Sequence, residues 1–90
     1  MLLDTKKKIP ENIPPRISES LGAYVNERRP TGDFLRAVLE NNLTESLARA
    51  DPDNRKCLFD LVSYMYNEVP ALCWGSAEKV RDWISGKTKI

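Results

Sequence analysis

The chain has 90 residues, 14 Lys and Arg against 13 Asp and Glu, a net charge of +1 and no histidine. So even a balance sets up no global field for nucleic acid or a membrane surface, and the missing imidazole excludes any nucleophilic triad built on His. A composition of 41% hydrophobic and 30% charged residues is that of one small globular domain, neither disordered nor fibrous.

Residues 1–13 read as a basic, extended N-terminal arm. Lys6, Lys7 and Lys8 repel one another in a helix, and Pro10, Pro14 and Pro15 forbid a helix running through the segment. No apolar run follows the three lysines, so the pattern of a signal peptide is missing. Ile9 and Ile13 are the arm's two candidate packing residues.

Pro15 opens the first helix, which the spacing extends to about Arg28. Ile17, Leu21, Tyr24 and Val25 share one face, and Arg28 and Arg29 sit where they offset the negative helix end. Thr31 is the expected N-cap of a second helix, with Asp33 in its first turn and Phe34, Leu35, Val38 and Leu39 inward. Asn41 and Asn42 break it. Thr44 then reads as the cap of a short helix from Glu45 to about Ala50. Leu43 and Leu47 are expected inside, with Leu43 and Ala48 spaced as a hydrophobic staple.

Asp51, Pro52 and Asp53 form a strong start signal for the longest helix, residues 52–68, which stops before Pro70. Leu58, Val62, Met65, Tyr66 and Val69 make one expected inward stripe. Cys57, Phe59, Leu61 and Tyr64 widen it past half the circumference, which predicts a central helix. Residues 70–75 form an apolar connector. Ser76 caps a last helix, Ala77 to about Ser85, with Val80, Trp83 and Ile84 inward and Gly86 as the stop. The expectation is an all-α single domain of about five short helices around the 52–68 helix. It spans residues 14–86, with a tail at 87–90, and no stretch suits a membrane span.

Chemistry is sparse. Cys57 and Cys73 without His cannot complete a tetrahedral zinc site unless carboxylates join, a disulfide between them is unforced, and Cys57 reads as a small buried side chain in a reducing, cytoplasmic compartment. Asp51 and Asp53 are explained by their places around Pro52. The four glycines lie far apart, so there is no phosphate-cradling loop. No catalytic, cofactor-binding or metal-binding residue is predicted, and the chain reads as a non-enzyme.

Binding has better material. Tyr64, Tyr66, Trp74 and Trp83 crowd the last third, and such aromatics dominate binding hot spots. The candidate partner-binding residues are Trp74, Tyr64, Tyr66 and Glu68, with Arg28 and Arg29. Trp74, outside any regular helix, is the one expected to be partly exposed. The apolar surplus of the 52–68 helix suits a homodimer as well as a wrapped monomer. The alternative is nucleic-acid binding, with Lys6, Lys7 and Lys8 neutralising phosphates as an arm.

The order of several phrases carries a resemblance. These are Pro30-Thr31-Gly32-Asp33-Phe34-Leu35, Ala37-Val38-Leu39-Glu40-Asn41, Tyr66-Asn67-Glu68 with Pro70, and Trp74-Gly75-Ser76 with Glu78-Lys79-Val80 and Trp83. Over residues 13–85 the chain resembles a group of short helical proteins encoded by tailed phages and prophages. The resemblance implies a protein made in a bacterial host that binds a host or phage protein. Inhibition of a defence complex, in the style of anti-CRISPR proteins, is the leading specific expectation.

Overall fold

The computed structural model describes residues 9–88, and Lys6, Lys7 and Lys8 lie outside them. The fold is all-α. Its helices are α1 (Pro15–Glu27), α2 (Asp33–Leu39), α3 (Leu43–Arg49), α4 (Pro52–Glu68) and α5 (Ala77–Ser85), with a 3-10 turn at Ala71–Cys73 before the last. No strand occurs among the described residues. The end of the predicted arm packs against this domain. Ile13 is buried in the core, Ile9 lies against it, and Asn12 donates a 2.6 Å hydrogen bond from Nδ2 to Asp60 Oδ2.

The helix ends follow from local chemistry, with two corrections to the sequence reading. Asp51 caps α4 as expected, its Oδ1 accepting the Asn54 N–H at 2.8 Å, and Ser76 caps α5 by accepting from the Lys79 N–H at 3.1 Å. Thr31 does not cap α2. Gly32 holds that position, and the Thr31 hydroxyl donates to the Gly32 carbonyl instead. Thr44 does not cap α3 either. Asn41 takes the left-handed conformation, φ 61°, and the Asn42 N–H turns back to the Ala37 carbonyl at 2.9 Å. That closes α2. The Asn42 side chain then accepts from the Glu45 N–H at 3.1 Å, so the residue that ends one helix starts the next two residues earlier than Thr44 would.

The core draws Ile17, Leu21, Tyr24 and Val25 from α1 and Phe34, Leu35, Val38 and Leu39 from α2. From α4 come Cys57, Leu61, Tyr64 and Met65, from its C-cap Val69, and from α5 Val80 and Trp83. At its centre is a polar knot. Tyr24 is fully buried, and its hydroxyl donates to the Cys73 carbonyl at 2.6 Å. The Tyr24 carbonyl accepts the Trp83 indole N–H at 2.8 Å. Arg28, left-handed at φ 60° just past α1, stacks over the Trp83 ring at 3.8 Å and donates to the Trp83 carbonyl at 2.9 Å. A non-glycine residue in that conformation costs about 1–2 kcal/mol, which the stack and the hydrogen bond offset.

The connector is tied a second time. The Gly75 N–H donates to the Leu39 carbonyl at the end of α2, at 2.7 Å, from a φ of +119° that suits only glycine. Cys57 and Cys73 are both buried free thiols. Exposed ion pairs such as Arg16 with Asp51 at 3.1 Å and Arg49 with Glu45 at 2.6 Å are screened by solvent and add little to stability.

Two predictions follow from the caps and the knot. Asn42→Ala and Asp51→Ala should each lower unfolding free energy by about 0.5–2 kcal/mol, and Thr31→Ala and Thr44→Ala by under about 0.5, in urea titrations. The second concerns alkali. Burial pushes the Cys73 thiol from its ordinary 9.0 up to about 11, and burial raises Tyr24 as well. The native state therefore holds protons that the unfolded chain has released. Stability is complete below pH 9 and falls as pH rises toward 11. Tyr24→Phe should lose about 1–3 kcal/mol at neutral pH, because the Cys73 carbonyl is left buried without its donor, and should show a shallower alkaline decline.

Candidate functional site

Helix α4 carries two apolar lines. The first, Cys57, Leu61, Tyr64 and Met65, is buried together with Asn54. The second follows Arg55, Phe59, Val62 and Tyr66 at i, i+4, i+7 and i+11, and it faces solvent. Phe59 is 82% exposed, Tyr66 79% and Val62 38%. The sequence reading placed Val62 and Tyr66 in the inward stripe and counted Phe59 with it. That assignment is corrected. The four other helices, of 7 to 13 residues, do not wrap an arc so wide, and Asn54 takes the inward place at the start of α4. There its Oδ1 accepts from Arg16 at 3.3 Å and its N–H is held by Asp51.

The same correction applies to α3. Leu43 is 65% and Leu47 45% exposed, and Ser46 turns inward, its hydroxyl bonded to the Asn42 carbonyl at 2.6 Å. Leu43 and Ala48 are both exposed, so no staple closes there.

Leu43, Val62 and Tyr66 line two shallow grooves along one flank of α4, and Phe59 stands one turn before Val62. The first lies against the start of α3, between Leu43, Ser46, Leu58 and Val62, with Asn41 and Asn42 at its edge. The second continues toward the connector, between Asn41, Tyr66, Val69, Trp74 and Lys79, and encloses about 270 Å³. Asn41 borders both, and Val62 and Tyr66 stand one turn apart, so the grooves form one strip. Half-exposed Leu72 follows Ala71, which lines the second groove. Neither groove is lined by a carboxylate. The grooves elsewhere differ, with Asp60 and Glu68 in one and Asp33, Glu40 and Glu45 in another.

The predicted partner-binding residues divide. Tyr66 and Trp74 both line the strip. Tyr64 is a core residue, 5% exposed, and Glu68 lies on the other flank of α4 beside Pro10 and Asp60. Arg28 is engaged by Trp83, and Arg29 is exposed and paired with Glu27 at 3.0 Å. Sequence reasoning missed Phe59, Val62, Leu43, Leu47 and Leu72 as surface residues. The available signal was the second line on α4, parallel to a first line already long enough to fill the inward face.

No group of three or more Cys, Asp or Glu side chains that could hold a metal ion occurs among the described residues. No described helix is long and apolar enough to cross a membrane. No family model matches the chain, and no curated protein or solved structure is similar to it.

Proposed function

We propose that this chain is a non-enzymatic protein that acts by stoichiometric protein–protein binding, with the α4 strip as its contact surface. One observation carries this reading. Tyr66 protrudes at the second groove, and Phe59 protrudes one helical turn before Val62 of the first. Large exposed aromatics next to grooves mark interaction sites, and side chains such as Leu43 or Phe59 each gain about 1.5–3 kcal/mol on full burial. The grooves are open and shallow, unlike the enclosed pockets that take small substrates. A bacterial cytoplasmic target, with a defence complex as its leading form, rests on the resemblance to short phage proteins alone.

The test compares capture from nuclease-treated bacterial lysate at moderate salt by the wild-type chain, by Phe59→Ser/Tyr66→Ser, and by Lys6, Lys7 and Lys8→Ala. The strip variant should keep its stability within about 0.5 kcal/mol, since both side chains are exposed, and lose the captured protein. The lysine variant should retain it. Loss of binding with the lysine variant, or with nuclease, would move the interaction to the arm and nucleic acid.

A further inference from the structure

The strip is mainly apolar, with Asn41, Asn42 and Ser46 as its uncharged polar residues, and it runs from Arg55 on α4 to Lys79. Arg55 opens the line on α4 and is exposed, and no ion pair among the described residues uses it. Lys79 closes the line beside Trp74. Its ammonium donates to the Ala71 carbonyl at 3.3 Å, and it too lacks an ion pair among the described residues. Between them neither groove presents a carboxylate, although residues 31–70 as a whole carry a net charge of −3.

This pattern decides between occupants. A second copy of the chain paired strip to strip would bring Arg55 and Lys79 of both molecules into one interface with no acid from either strip to meet them. Like charges within an interface disfavour that pairing. A polyanionic nucleic acid would satisfy the cations but leave the apolar line uncovered. An apolar segment with carboxylates at its edges satisfies both.

Length narrows the class further. From Leu58 in α4 to its C-cap Val69 is eleven residue steps, about 16 Å. That is the span of a helix of three to four turns, whose anchors at i, i+3 or i+4 and i+7 match the spacing of Phe59, Val62 and Tyr66. We infer that the strip takes an amphipathic helix of a partner protein, with an apolar ridge seated along α4 and Asp or Glu side chains at its two ends toward Arg55 and Lys79. The inference rests on the protein-binding reading above and names the chemistry of the partner.

The experiment uses the intact chain and two synthetic helical peptides of 16 or so residues. They share one Leu/Phe ridge and differ only in carrying Glu or Lys at both ends. Binding is followed by fluorescence anisotropy at low and moderate salt. The Glu-flanked peptide should bind at least about tenfold tighter than the Lys-flanked one, with the gap narrowing as salt rises. Arg55→Glu/Lys79→Glu should reverse the preference, and Phe59→Ser/Tyr66→Ser should abolish binding of both peptides while the far-UV spectrum stays unchanged. Equal affinity for the two peptides, or binding of neither, would overturn the inference. So would a concentration-dependent dimer in sedimentation that Phe59→Ser/Tyr66→Ser dissolves, because the occupant would then be a second copy. The protein-binding reading fails separately, if that variant still captures its target from lysate.

Discussion

The fold depends on the knot that joins Tyr24, Arg28, Cys73 and Trp83. A small domain has little apolar area to commit, and this one places its two most buried aromatics, Tyr24 and Trp83, where each also makes a hydrogen bond. Tyr24 holds the connector by its hydroxyl and α5 by its carbonyl, so one residue of α1 fixes the last third of the chain. Arg28 locks the arrangement from outside, accepting a left-handed backbone in exchange for the Trp83 stack. With the connector also tied to α2 through Gly75, α5 is drawn to the ends of α1 and α2. Only its start, at Lys79, reaches the flank of α4. Among the described residues, none covers the strip.

The helices were legible because their punctuation is strong. Pro15, Asp51 with Pro52, Ser76 and Gly86 all act where their chemistry places them. The two misplaced caps share one cause. Thr31 and Thr44 are good cap residues, and a neighbour outcompeted each: Gly32 by adopting the extended backbone, Asn42 by ending α2 and starting α3 at once. Local propensity ranks residues and does not arbitrate between adjacent candidates.

The site was legible only in part, for a different reason. Tyr66 and Trp74 were singled out as aromatics near Pro70, and both line the strip. Tyr64, one residue pair away from Tyr66, points inward because it lies some 160° round α4 from it by helical geometry. Composition treats the two tyrosines alike, and only the phase of the buried line separates them. Phe59, Val62, Leu43 and Leu47 were assigned inside because apolar residues usually are. What reverses that assignment is a limit of supply: the surrounding elements run out before the apolar arc of α4 does.

The central claim is that the second apolar line of α4 faces solvent in the monomer. Solvent paramagnetic relaxation of side-chain protons, measured by NMR at a concentration where sedimentation gives a monomer, tests it most directly. The account predicts strong relaxation at the Phe59 and Tyr66 rings and protection of the Tyr24 and Tyr64 rings. Protection of Phe59 and Tyr66 comparable to that of Tyr24 would contradict it, placing α4 inside the domain on all sides and leaving the chain without the surface proposed for its partner.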